Sequence, residues 1–186
     1  MLDPKSEILA TLYQRDTDGA NRLADAAVSL TIWEAAALGR DAVADRALSA
    51  DPAALNLAGA DGNVPLGLAA FFGHGSTVRL LLERGADVHA VAQNFMRVQP
   101  LHAAVGGRCA EAVEAILAHG PDVNARQQFG YTPLMGAAAA GREDLADLLM
   151  QYGADPSLVS EDGKTAADVA REHAFESLAG RLEKQP

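Results

Sequence analysis

The chain has 186 residues, of which 49% are hydrophobic and only 5% aromatic, and its formal charge is −10. That balance excludes a surface built for nucleic-acid phosphates, which demand concentrated positive charge, and the acidity reads first as a solubility feature. A single cysteine, Cys109, excludes an intramolecular disulfide and fits a reducing, cytoplasmic compartment, while no run of about 20 apolar residues is present to span a membrane.

The segment Met1 to Arg15 carries Asp3 and Glu7 among scattered apolar residues, unlike the basic start and long apolar run of a signal peptide. Ile8-Leu9 and Leu12-Tyr13, followed by Asp16 and Leu23, suggest a helix pair that caps the chain over 1–29. Over 30–60, Ile32-Trp33-Glu34-Ala35-Ala36, Gly39, Leu48 and Asp51-Pro52 read as a degenerate copy of a motif repeated more fully downstream. Three full copies occupy 61–93, 94–126 and 127–160. The fullest runs Gly130-Tyr131-Thr132-Pro133-Leu134, Ala137-Ala138, Gly141, Leu148-Leu149 and Gly153-Ala154-Asp155. Val64-Pro65-Leu66 and Pro100-Leu101-His102 open the other two. Asp162-Gly163-Lys164-Thr165-Ala166-Ala167 opens a closing copy over 161–186. Gln99, Thr132 and Thr165 stand 33 residues apart, and a fixed period of that size indicates a solenoid.

Physical chemistry accounts for the spelling of the copies. The Thr132 hydroxyl can accept from free amides at a helix start, and Pro133 sits where its missing N–H costs nothing. Leu134, Ala137 and Ala138 share one helix face, and the paired alanines let a second helix approach closely. Gly141 and Gly153 suit the left-handed residue that ends a helix. Val64 and Gln99 forfeit the hydroxyl cap. Arg108 stands where the helix-ending glycine belongs, so that turn is expected to shift by a residue or two toward Gly106-Gly107.

The copies resemble the ankyrin repeat family, and the likeness covers almost the whole chain. It implies an all-α fold: an ankyrin solenoid of about five to six stacked helix-turn-helix repeats with short β-hairpin-like fingers. Short strand pairing is expected near 58–64, 90–98 and 125–131. The family grips protein partners through its concave groove and fingers, and uses the histidine that His102 matches for hydrogen bonds tying neighbouring turns together. The resemblance therefore implies a non-enzymatic interaction module. No nucleophile elbow, phosphate loop, His-Glu-x-x-His or cysteine pair is present, so no catalytic residue, metal or cofactor is expected. Cys109 beside Arg108 reads as a small apolar residue rather than an activated thiol.

Subtracting the scaffold leaves the candidate binding residues. Glu34 and Leu38, Leu68 and Phe72, Ala103 and Gly107, and Gly136 and Ala140 are i, i+4 pairs expected to form the groove floor, with Phe72 a bulky step beside small residues. Asn94, Phe95, Met96 and Arg97 lie in a finger two residues longer than the period requires. Arg126, Phe129 and Tyr131 lie in the next one. Exposed aromatic, methionine and arginine side chains are typical of binding hot spots. The competing expectation is that Phe129 and its neighbours pack between fingers, and that Asn94 and Arg97 brace the long loop. The expected partner is an unidentified protein, with small-molecule binding or homo-oligomeric regulation as alternatives. Polar ends, from Gln14 to Asp25 and from Arg171 to Lys184, are expected to cap a monomer. The arginine- and alanine-rich composition is compatible with a GC-rich bacterial source.

Overall fold

The computed structural model describes residues 6–184. Residues 1–5, with Asp3 of the N-terminal segment, and 185–186 of the closing copy lie outside them. The described residues form twelve α-helices and no strand, in six consecutive pairs. These are α1 (Glu7–Tyr13) with α2 (Thr17–Ala26), α3 (Ile32–Ala37) with α4 (Asp41–Ala50), and α5 (Pro65–Phe71) with α6 (Gly75–Glu83). They continue with α7 (Pro100–Gly106) and α8 (Ala110–Leu117), α9 (Pro133–Ala139) and α10 (Glu143–Gln151), and α11 (Ala166–Glu172) and α12 (Glu176–Leu182). First helices pack side by side from α3 to α11, and second helices do so from α4 to α10. The result is the layered solenoid that the 33-residue spacing of Gln99, Thr132 and Thr165 requires.

Each layer buries what its sequence made available. Leu66, Leu101 and Leu134 of the first helices meet Leu81, Ile116 and Leu149 of the second, all fully buried. Each such side chain contributes about 1.5–3 kcal/mol. The alanine pairs Ala69-Ala70 and Ala137-Ala138 are wholly inaccessible, as close helix approach demands. Thr132 accepts from the Met135 amide at 3.3 Å, and Thr165 with Asp168 completes a capping box. Val64 and Gln99 provide no side-chain cap, as their chemistry dictates.

The Arg108 turn is not displaced. Arg108 itself adopts the left-handed conformation at φ 57°, where the neighbouring layers use Gly73 and Gly141. The reason lies one residue earlier: a Cβ on Gly107 would come within 2.4 Å of the Ala70 carbonyl oxygen. Close backbone approach fixes glycine at 107, and the arginine takes the left-handed turn.

The fingers are hairpin-like turns stitched by isolated backbone bonds rather than strand ladders. Ala92 donates to Val98 at 2.9 Å within one finger, and Gln127 to Tyr131 at 3.0 Å within the next. Between fingers, Gln93 donates to Gly62 at 2.7 Å, Gln128 to Met96 at 3.2 Å and Glu161 to Phe129 at 2.9 Å. Single bonds at such spacing do not build a β-ladder, which is why the strand pairing expected near 58–64, 90–98 and 125–131 is reduced to these contacts.

The N-terminal pair departs from the stack. Between α2 and α3 the connection is only residues 27–31, whereas α6 and α7 are joined by 84–99, finger included. Buried apolar residues fall into two clusters. The main core runs from Ile32 to Leu182, and a second core gathers Ile8, Leu9, Leu12, Ala20 and Ala24 with Ala37 and Leu68. Leu38 and Phe72 pack against that second core, and Trp33 touches both. A pair stacked in register on α3 alone would not reach α5, yet the Tyr13 ring at the end of α1 packs on Phe71 and Phe72.

Polar groups at the opposite end pair off. Arg181 bonds Glu143 at 2.7 Å and Asp147, Arg171 meets Asp168 at 3.3 Å and Glu183, and Lys164 meets Glu172 at 2.7 Å. Exposed pairs of this kind contribute little individually and chiefly keep the terminal layer soluble.

Candidate functional site

The concave face and its fingers present two adjoining clefts. The first lies between fingers, is lined by Asn94, Phe95, Arg97, Gln127, Gln128, Phe129 and Glu161, and measures about 580 Å³. Phe95 is 71% exposed and Phe129 55%, and their rings meet edge-on at 6.2 Å. The two rings thus brace one another edge to face and still present most of their area to solvent. Phe129 sits at φ 61° and Arg97 at φ 50°, so both finger tips turn through left-handed, non-glycine residues.

Asn94 is committed locally. Its amide donates to the Asp61 carbonyl at 3.1 Å and to Asn63 at 3.3 Å, while its side-chain oxygen accepts from the Met96 amide at 3.1 Å. The side chain thus bridges to the preceding finger and braces the turn that presents Phe95 and Met96. Arg126 is also engaged, donating to the carbonyls of Val159 at 2.6 Å and Gly130 at 3.2 Å. Tyr131 is half-buried against the main core, and its carbonyl faces His102 Nε2 at 3.3 Å. Phe95, Met96, Arg97, Arg126 and Phe129 are the exposed members of the sequence-derived set, while Phe72, Asn94 and Tyr131 are half-buried; Asn94 and Arg126 also hold the fingers that carry the tips.

Phe72 lies apart from them, half-buried beneath the N-terminal pair. The Tyr13 ring packs on it at 5.4 Å and on Phe71 at 6.2 Å, and Phe71 and Phe72 meet edge-on at 5.2 Å. The Tyr13 hydroxyl donates to Asp61 at 2.8 Å and accepts from Asn63 at 3.1 Å. Burial, reinforced by the bond to the Asp61 carboxylate, pushes the phenol well above its ordinary range, so it remains a donor. Next to Tyr13 a second cleft of about 460 Å³ runs over Gly67, Leu68 and Phe71 to Met96, Val98 and Ala103. Tyr13, Asp61, Asn63 and Phe71 were not among the sequence-derived site residues. The available signal was an aromatic residue at the end of an N-terminal amphipathic helix, in a chain with few aromatics.

His102 and His74 behave as scaffold. Burial depresses His102 to about 4 against the opposing pull of the Tyr131 carbonyl, leaving a neutral ring whose Nδ1 has no protein partner. His74 is lowered by burial and contacts the Ala37 carbonyl at 3.0 Å. Cys109 is half-buried at the start of α8. Among the described residues, no three His, Cys, Asp or Glu side chains are grouped to hold a metal, and no helix is long and apolar enough to cross a membrane.

Comparison with known proteins matches the layered region. The family model for ankyrin repeats in three copies aligns with residues 32–127 and 92–160. The chain is 37% identical over 111 residues to a B-cell lymphoma 3 protein homolog of Mus musculus, covering 60% of this chain and 25% of that protein. It is 33% identical over 118 residues to a transient receptor potential cation channel subfamily A member 1 homolog of Caenorhabditis elegans, covering 63% and 10%. Ankyrin repeat domain-containing protein 37 of Bos taurus is 34% identical over 103 residues, covering 55% and 65%. The chain thus spans less than two thirds of each relative's length, and all three relatives are animal proteins, which lends no support to a bacterial source. With its helix pairs stacked at the repeat period and the family match running from Ile32 through residue 160, the chain belongs to the ankyrin repeat family.

Proposed function

We propose that this chain is a non-enzymatic interaction module, a single ankyrin domain with layers divided near residues 30, 61, 94, 127 and 161, that holds a protein or peptide partner on its concave face and fingers. The observation that carries this reading is the solvent-facing cluster Phe95, Met96, Arg97 and Phe129 on two braced finger tips. Rigid exposed aromatics bury large area at low entropic cost, which is the physical basis of a hot spot. Tyr131, Asn94 and Arg126 complete the surface as supports, and Phe72 belongs to the groove floor beneath the N-terminal pair. Nucleic acid is disfavoured by the charge of −10, and a cytoplasmic setting is compatible with the single free cysteine.

The test is the triple variant Phe95→Ala, Met96→Ala, Arg97→Gly, with glycine chosen because φ is 50° at that position. Capture of a protein partner by the full chain should be abolished while helical circular dichroism is unchanged. Retained capture rejects the patch. A second reading, small-molecule binding, is favoured by the apolar cleft of about 460 Å³ beside Tyr13, which falls in the size range of ligand pockets. A ligand seated there would protect Tyr13 and Met96 rather than Phe95 and Phe129.

A further inference from the structure

The concave face already holds a helix, and that helix belongs to the chain itself. Ile8, Leu9 and Leu12 of α1 share one buried cluster with Leu68 of α5 and Ala37 of α3, Leu38 and Phe72 pack against that cluster, and the Tyr13 ring at the end of α1 meets Phe71 and Phe72. Ankyrin layers bury residues against the next layer, and the contact between α1 and α5 skips one. We propose that the α1–α2 pair is a displaceable intramolecular occupant of the concave groove. An amphipathic helix of a protein partner then reaches Leu68 and Phe72 only when α1 leaves. This rests on the reading of the chain as a protein-binding module and names the chemistry of what its groove accepts.

Three observations support detachment. First, the main core from Ile32 to Leu182 contains no buried residue of α1 or α2, so the stack keeps its own interior when the pair lifts away. Second, the polar attachments are few and lie at the rim. Ser6 donates to Glu34 at 2.6 Å, Tyr13 bonds Asp61 and Asn63, and Arg40 reaches Asn21 at 3.0 Å and Asp25 at 3.1 Å. Third, the connection through residues 27–31 carries a fully exposed Val28 and no finger bonds to hold it.

The same geometry describes the competitor. α1 spans only seven residues and stops at Tyr13, leaving the cleft over Gly67, Phe71, Met96 and Val98 unfilled. A longer amphipathic helix with an aromatic side chain in place of Tyr13 would cover α1's footprint and continue along that cleft. The extra apolar area lets it compete with an occupant whose tether gives a high effective concentration. Groove and finger patch then form one continuous surface, since Met96 belongs to both.

The test uses a synthetic peptide of residues 6–26 as the probe and the full chain carrying Leu9→Glu and Leu12→Glu as the acceptor, which leaves every groove residue intact. The variant should bind the peptide about 10- to 100-fold more tightly than the unmodified chain, as expected when the open state is a minor population. Tyr13→Phe in the peptide, which removes the bond to Asp61, should weaken that binding several-fold. A variant with intact α3–α12 that binds the peptide no better than the unmodified chain overturns the proposal. Should the variant fail to fold, hydrogen exchange of the unmodified chain decides. Amides of α1 and α2 exchanging while α3 to α6 stay protected support a detachable occupant, and joint exchange of all six helices overturns it. Neither measurement uses an external partner or the Phe95 patch, so failure here leaves the finger reading to its own test.

Discussion

The layer formed by α7 and α8 and the pair formed by α1 and α2 are built alike locally and held very differently. Both are short helices joined by a left-handed, non-glycine arginine, Arg108 at φ 57° in one and Arg15 at φ 63° in the other. In the central layer, the arginine comes just after a backbone contact with α5 so close that only Gly107 fits. The N-terminal pair has no finger and no place in the main core; it shares a separate apolar cluster with Leu68 of α5 and reaches Phe71 and Phe72 through Tyr13. Local helix-turn-helix form therefore does not determine membership of the stack. The connection to the next pair does: a full finger sets the next layer in register, and residues 27–31 cannot.

The largest expected effect separates the two regions directly. Leu101→Ala, in the centre of the stack, should cost about 2–5 kcal/mol of global stability in denaturant unfolding. Leu12→Ala should leave the main transition nearly in place and loosen only α1 and α2. Equal shifts of the main transition would show that the two cores are one cooperative unit. Next in size is a pH effect confined to the central layers. The folded His102 value of about 4 lies below the ordinary 6.5, so the unfolded chain binds a proton that the folded chain refuses between these limits. Stability should fall as pH drops from about 6.5 to about 4, by at most about 3 kcal/mol, and His102→Gln should flatten that slope. Absence of any difference between the two profiles would remove His102 as the source.

Smaller effects sharpen the same contrast. Thr132→Ala removes the bond to the Met135 amide and should cost about 1 kcal/mol, whereas Gln99→Thr supplies the missing cap and should return part of that amount to its layer. Thermal midpoints measure both. Smallest is the finger variant Phe95→Ala, Met96→Ala, Arg97→Gly, whose stability should stay within about 0.5 kcal/mol because these side chains face solvent. A large loss there would mean that the tips are structural.

The repeat made the stack legible. Thr132-Pro133, the alanine pairs and the Leu101 and Leu134 positions encode their own burial, and each reappears where its chemistry requires. The polar fingers were legible only as composition. That Asn94 braces Asp61 while Phe95 stays exposed depends on the path of a neighbouring finger 33 residues earlier in sequence, which no local pattern records. The groove floor was hardest to read. The i, i+4 spacing of Leu68 and Phe72 offers them as a pair off the repeat's own core positions, and both fall in the second apolar cluster. Their cover is tertiary, supplied by a helix about 55 residues away whose sequence shows only an apolar stripe. Arg108 misled for a related reason, because the constraint sat on Gly107 through a contact with Ala70.

Trp33 carries a practical consequence. It is the only tryptophan, it touches both cores, and its indole Nε1 donates to the Leu57 carbonyl at 3.0 Å with Gly59 close against the ring. The seam between occupant and stack therefore contains its own optical reporter. Departure of α1 and α2 would bare one side of the indole while Leu57 still holds the other. Ultraviolet emission should then shift to the red and become open to acrylamide quenching before any helical signal is lost. The unmodified chain can thus be watched opening, in real time and without a label.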